Sequence, residues 1–236
     1  MKIHNATAFV TGANRGLGRA FVQALLAAGA RKVYAAARNP ASIDFADARV
    51  VPVRLDVTDP AQVAEAARIA SDTDLLINNA GISQSKPFLD PASVDTVRIE
   101  METNFYGPLL LGQAFAPALK ANGGGAMLNV LSVLSWVALA GSGTYSASKA
   151  AAWSMTNALR NELRSQGTQV TGLHVGFMDT DMVRHVEAPK SKPEDVVAQA
   201  LQAIEAGAEE VLADDISRQV KAGLSAEQSS YLTVGR

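Results

Sequence analysis

The sequence predicts an α/β fold: a doubly wound parallel sheet of about seven strands with helices on both faces. Three observations carry this. Short apolar runs alternate with longer helical patterns along the chain. A glycine-rich segment, Thr11-Gly12-Ala13-Asn14-Arg15-Gly16-Leu17-Gly18, joins the first apolar run to the first helical pattern. No Pro/Ser-rich linker, charge run or internal repeat divides the 236 residues, 48% of which are hydrophobic. One domain over 1–236, with one sizeable core, is expected.

The strands are expected at 7–11, 32–36, 49–54, 73–78, 126–131 and 170–175, with a short seventh at 210–213. Helical patterns occupy 17–28, 60–71, 93–122, 144–165 and 193–206, and the polar stretch 215–223 is also helical. Thr58-Asp59-Pro60 supplies a cap, then a proline in the first turn, where its missing N–H costs nothing. Ser191-Lys192-Pro193-Glu194 has the spacing of a capping box. Gly123-Gly124-Gly125 reads as a helix stop and turn.

Composition excludes several classes. A formal charge of −2 and a pI of 5.9 argue against a polyanion-binding surface, so no nucleic-acid partner is expected. With no cysteine, disulfides, thiolate metal sites and a cysteine nucleophile are ruled out. His4, His174 and His185 lack metal-ligand spacing and read as structural or surface residues; no metal is expected. No run reaches the length of a membrane span, and the first residues enter a strand rather than a signal peptide. A cytoplasmic protein without a membrane partner is expected.

A glycine-rich turn between strand and helix lets backbone N–H groups approach a pyrophosphate at the positive end of the helix. Twenty positions past Gly18, where an acid usually bonds the ribose 2′-hydroxyl of NAD, this chain has Arg38. Arginine suits the 2′-phosphate of NADP(H), and Arg15 within the loop is placed to grip the same phosphate.

Tyr145-Ser146-Ala147-Ser148-Lys149 puts a phenol and an ammonium one turn apart on one helix face. A free tyrosine, with a pKa of about 10, is a poor base near neutrality, and a neighbouring ammonium lowers it toward the working range. Ser132 follows an apolar run, thirteen residues before Tyr145. The carboxyl end of a strand is where open α/β sheets place ligands, so its hydroxyl is placed to hold a substrate carbonyl oxygen. Ser135, further into the loop, competes for that role. Asn104 is a mediocre helix former inside a helical pattern, so either its position matters or it bends the helix.

Together these residues resemble the short-chain dehydrogenase/reductase family in its compact, Rossmann-like, single-domain form. The resemblance runs from Thr7 to about Asp214 through Gly12/Gly16/Gly18, Leu55-Asp56-Val57, Asn78-Asn79-Ala80-Gly81, Asn104, Ser132, Tyr145 and Lys149, in the family's order and spacing. It implies that Tyr145 is the acid/base, that Lys149 depresses its pKa and bonds the nicotinamide ribose, and that Ser132 orients the substrate oxygen. Asn104 would anchor a water continuing the proton relay. Cofactor contacts would come from Gly12, Asn14, Arg15, Gly16, Leu17 and Gly18, from Arg38, from Asp56 and Val57 at the adenine, and from Asn79, Ala80 and Gly81. Gly176, Phe177 and Thr180, after the sixth strand, would complete the set with Tyr145 and Lys149.

The chain also departs from the family pattern. Val175 stands where the family has proline before Gly176, which is expected to loosen that turn. The substrate lid, around 181–192, is short, which implies an open pocket and broad tolerance, with Trp136, Leu139 and Phe177 as apolar walls. The polar C-terminal segment weakens a tetramer. A homodimer is expected through helices at 93–122 and 144–165, using Ala147, Ala150, Ala151 and Leu109–Leu111, with a tetramer as the alternative.

The expected function is an NADP(H)-dependent oxidoreductase, a carbonyl reductase interconverting a small-molecule ketone or aldehyde and its alcohol. A catalytically silent NADP-binding sensor or scaffold is the alternative. A nucleotide-sugar epimerase or dehydratase would need a larger substrate domain than 236 residues allow.

Overall fold

All five residues of strand β1 (Thr7–Thr11) are buried, as a strand covered on both faces requires. In this computed structural model, which describes residues 1–184 and 186–233, β1 belongs to a seven-stranded sheet. Its companions are β2 (Lys32–Ala37), β3 (Val50–Arg54), β4 (Leu75–Asn78), β5 (Ala126–Val130), β6 (Gln169–His174) and β7 (Glu210–Leu212). Their order is β3-β2-β1-β4-β5-β6-β7, and every pair is parallel. The chain walks outward from β1 to β3, then returns to β4 on the other side of β1. That reversal opens a crevice beyond the carboxyl ends of the strands.

Alternation along the strands divides the core into two layers. Ala8, Val10, Leu75 and Ile77 face α1 (Gly16–Ala27) and α6 (Pro193–Ala206), meeting Phe21, Leu25, Val197 and Ile204. Phe9, Leu76 and Met127 face α2 (Pro60–Ile69), α4 (Gly107–Ala121) and α5 (Gly143–Leu163). The Phe9 and Phe115 rings lie 4.7 Å apart. Each fully buried side chain of this size stabilises the fold by about 2 kcal/mol. Asp59 caps α2 as the sequence predicts, accepting from Ala61 N and Gln62 N, with Pro60 in the first turn.

Elsewhere the structure corrects the sequence reading. The single helix expected over 93–122 is α3 (Ser93–Met101), a π-helical segment at Glu102–Tyr106, and α4. Pro108 has no N–H for the carbonyl four residues back, at Asn104, and its ring crowds that carbonyl, so the helix widens there. The capping box at Ser191 does not form. Lys192 is the N-cap of α6 and makes no side-chain cap bond. Ser191 is instead held by its backbone, donating to Phe177 O at 2.9 Å and accepting from Asp179 N at 2.9 Å. The fourth strand starts two residues late because Thr73 closes a turn, its hydroxyl donating to Ala70 O at 2.7 Å. After β7 come α7 (Asp215–Ala222) and a short α8 (Ser230–Thr233). His185 and residues 234–236 lie outside the described residues.

Candidate active site

A cavity of about 1090 Å³ fills the crevice above the strand ends. At one end is the glycine loop. Gly12 and Gly16 have φ of +64° and +51°, a region where side chains are strained. A Cβ on Gly18 would run into Gly12 O and lie 2.6 Å from Asn79 Nδ2. The loop is tied to the end of β4: the Thr11 hydroxyl accepts from Asn79 N at 3.0 Å and Ala80 N at 2.9 Å, and Asn79 Nδ2 donates to Thr11 O at 2.8 Å. Arg15, the N-cap of α1, makes no side-chain cap bond, so the first backbone N–H groups remain free for an anion. Asn14, Arg15 and Leu17 line the cavity beside them.

Arg38 follows β2 at the same end, exposed, and no acid among the described residues pairs with it. Arg15 is engaged: its guanidinium lies 3.4 Å from Asp181 in the segment after β6. Asp56 and Val57 also line this end. The Asp56 carboxylate is occupied by its own turn, accepting from Thr58 N at 3.0 Å and Thr58 Oγ1 at 2.8 Å.

Ser132, Tyr145 and Lys149 meet in the middle of the cavity. Ser132, two residues past β5, caps a 3-10 turn at Val133–Ser135, its hydroxyl accepting from Leu134 N at 3.1 Å. Ser135 does not line the cavity; its hydroxyl accepts from Ser132 N at 3.3 Å, which separates the two serines into a site residue and its support. Tyr145 and Lys149 lie in the first turns of α5. Lys149 Nζ is 5.8 Å from the Tyr145 ring centroid and donates to Val130 O at 2.9 Å.

Burial sets the charge states. It pushes the Tyr145 phenol above its usual value, Ser132 bonding pulls the other way, and the Glu100 carboxylate adds to the rise. The Lys149 ammonium is lowered to about 8 by burial. The lowering of Tyr145 by Lys149 that the sequence leads one to expect is not among these influences, and desolvation is the largest of them.

Asn104 belongs to the wall of the site. It sits in the π-helical segment, buried behind the cavity rather than lining it. Its side chain accepts from Ile82 N at 2.9 Å and donates to Ile82 O and Ser148 Oγ, both at 2.9 Å. It holds the loop after β4 to α5.

Gly81 opens that loop and lines the cavity with Asn79 and Ala80. Two residues that sequence reasoning missed secure it further. Glu100, fully buried, accepts from Gln84 N at 2.7 Å and Ser85 N at 3.0 Å. Thr144, immediately before Tyr145, accepts from Lys86 N at 3.0 Å. A lone acid on the inward face of a helix was the only available signal for Glu100.

After β6, Gly176, Phe177 and Thr180 line the cavity, Thr180 beside Gly16 of the glycine loop. The turn expected to be loosened by Val175 is held at both ends: Val175 O accepts from Val133 N at 3.0 Å, and Gly176 N donates to Asp214 Oδ2 at 2.6 Å. Asp214 Oδ1 meanwhile caps α7, accepting from Ser217 N at 2.8 Å.

Leu139 and Phe177 are walls as predicted, but Trp136 is not. It stacks on His174 at 3.8 Å, away from the cavity, because His174 is buried there. His174 is lowered to about 4 by burial, stays neutral, and bonds Ser132 O through Nδ1 at 3.1 Å. It is a support for the serine turn. No cluster of metal ligands occurs among the described residues.

A sequence profile described as short chain dehydrogenase matches residues 6–191, well over half of the chain. The chain belongs to the short-chain dehydrogenase/reductase family. This short-chain dehydrogenase is similar, at 45% identity and a TM-score of 0.93, to a short chain dehydrogenase from Burkholderia cenocepacia J2315 solved in complex with NADP, over 97% of this chain and 96% of that one. It is 31% identical to the 3-oxoacyl-(acyl-carrier-protein) reductase of Salmonella typhimurium over 99% of this chain and 95% of the relative. It is 33% identical to the dehydrogenase/reductase SDR family member 7B of Bos taurus over 76% of this chain, a match spanning 60% of that relative's length. The seven-stranded parallel sheet with its surrounding helices is the fold of these relatives, and the chain is an oxidoreductase of that family. No helix among the described residues is long and apolar enough to cross a membrane.

Proposed function

We propose that this protein is an NADP(H)-dependent carbonyl reductase, interconverting a small-molecule ketone or aldehyde and its alcohol, with Tyr145 as acid/base. The observation that carries it is the convergence of Ser132, Tyr145 and Lys149 in one cavity with an unpaired arginine at its other end. A cofactor fits the residues present: positive-φ glycines, free helix N–H groups and Arg38 match a pyrophosphate and a 2′-phosphate. The relative from Burkholderia cenocepacia J2315 supports NADP, and so does the NADPH-bound carbonyl reductase from chicken fatty liver, 30% identical with a TM-score of 0.76.

When bound, NADPH supplies the hydride that adds to the carbonyl carbon. Ser132 and Tyr145 hold the carbonyl oxygen, and Tyr145 gives it a proton as negative charge develops. The raised Tyr145 pKa suits that role, because the phenol keeps its proton until it is needed. Lys149 brings a positive charge to the same corner, and Asn104 holds the wall behind it. Action as a homodimer in the cytoplasm belongs to the same reading. Leu111 takes no part in such an interface, since it is fully buried in the core. A silent sensor would bind NADPH yet reduce nothing. Fluorescence titration of NADPH and NADH, followed by NADPH oxidation against a carbonyl panel, tests the two readings.

Two further outcomes are expected. Arg38→Asp should cost about tenfold or more in preference for NADPH over NADH, the worth of a charge-assisted bond. Unchanged preference in the titration would move phosphate recognition to Arg15. Glu100→Gln keeps an acceptor for Gln84 N and Ser85 N while removing the charge that adds to the rise burial imposes on Tyr145. Its pH profile for alcohol oxidation should therefore rise at lower pH than wild type, because Tyr145 acts as a base once deprotonated. A profile that stays in place would show that Glu100 does not act through its charge.

A further inference from the structure

The two ends of the cavity differ in what they leave unpaired. At the cofactor end, Arg38 has no acid beside it among the described residues. Around the other end, Lys149 stands at the reacting corner with only Val130 O as its partner, and the other nearby cations are paired with acids: Arg184 with Asp181, Lys86 with Asp90, Lys221 with Glu210, and Arg218 with Asp215. Several hydroxyls there are also occupied. The Ser83 and Ser85 hydroxyls bond each other at 2.7 Å, and Ser142 Oγ donates to Leu139 O at 2.9 Å.

What remains is apolar surface brought together from three places in the chain. Leu139 comes from the loop before α5, Met182 from the segment after β6, and Ile216 from α7. All three line the cavity and are 39%, 43% and 48% exposed. They are three of the eleven large apolar side chains exposed among the described residues, and the three line one cavity. Behind them, Val133, Val137 and Val220 form a buried cluster separate from the main core. Ile216 also stands against the cofactor-side turn, where a Cβ on Gly176 would come within 2.6 Å of its Cγ2.

We infer that this site takes uncharged carbonyl compounds with apolar substituents, and that Ile216, with Leu139 and Met182, sets the preference. The inference rests on the carbonyl-reductase reading and narrows it. Away from Lys149 at the reacting corner, a carboxylate or phosphate beside Leu139, Met182 and Ile216 would leave water without an unpaired cation among the described lining residues to meet it, whereas an alkyl or aryl group would cover surface that is otherwise wet. Thioesters on phosphorylated carriers and sugar acids are disfavoured for the same reason. Specificity then comes chiefly from rejecting charge.

The test uses acetophenone and 4-acetylbenzoate, which share an aryl ketone and differ by one carboxylate. NADPH oxidation should give a kcat/KM about a hundredfold higher for acetophenone. Ile216→Lys supplies the missing cation on an exposed position, and should narrow that gap by about tenfold, the worth of a charged hydrogen bond. Met182→Lys is the second variant should the first fold poorly. Equal efficiency on the two ketones, or turnover of 4-acetylbenzoate or a ketosugar acid without acetophenone, overturns the inference and leaves the reductase standing. Tight NADPH binding with no carbonyl reduced overturns both.

Discussion

Tyr145→Phe is expected to lower carbonyl reduction by about a thousandfold, the usual worth of a positioned acid. The change removes one oxygen and keeps the ring against Lys149, whose Nζ lies 5.8 Å from its centroid. NADPH affinity should be largely kept, because the glycine loop and Arg38 are untouched. Single-turnover kinetics with saturating NADPH separates the two effects. A variant that turns over at near the wild-type rate would mean that the proton comes from elsewhere, and Ser132 is the hydroxyl next to hand. An inactive variant with lost NADPH binding would instead make Tyr145 part of the cofactor's anchorage.

Lys149→Met should abolish most turnover and make the cofactor-free protein more stable. The ammonium sits at about 8 in the folded chain against 10.5 in the open one, because burial disfavours its charge. Between those values the unfolded chain holds more protons, so stability rises with pH across that window. Below it the folded protein carries the whole penalty, about 3 kcal/mol. Methionine removes the charge at the cost of the bond to Val130 O. Near pH 7 the variant should melt about 5 °C higher, allowing for the lost bond. Near pH 10 the difference should shrink, as the wild-type lysine becomes neutral in the fold. A variant that melts lower near pH 7 would show that the Val130 bond outweighs desolvation.

The sheet was legible because burial on two faces leaves a sequence signal that nothing else here imitates. Runs such as Ala8-Phe9-Val10 and Leu75-Leu76-Ile77 have no polar face to point outward. The glycines were legible because their positions demand a missing Cβ, as the close approach of Gly18 to Gly12 shows. The widening at 102–106 was not, since it comes from one proline meeting a carbonyl in the preceding turn. Ser191 offered a capping oxygen and its backbone was claimed by 177–179 instead, a pairing distant in sequence from the helix it was read with.

The placement of Trp136 and His174 shows the same limit. Each was read alone, and only their stacking reveals that both serve the turn behind Ser132. Glu100 was invisible for a related reason. Its partners are backbone N–H groups fifteen and sixteen residues away, which carry no identity in a sequence.

Asp214 has two carboxylate oxygens and gives them to two segments that line the cavity. Oδ2 holds the Gly176 turn, and Oδ1 holds the start of the helix that carries Ile216. Whatever steadies that turn also steadies that helix, so the ordering cost of the second guest is met in part by the first. Cofactor and substrate are therefore expected to bind cooperatively, with the same gain in either direction, which NADPH titration with and without a bound ketone would check. A cofactor that arrives first leaves the substrate a wall already in place.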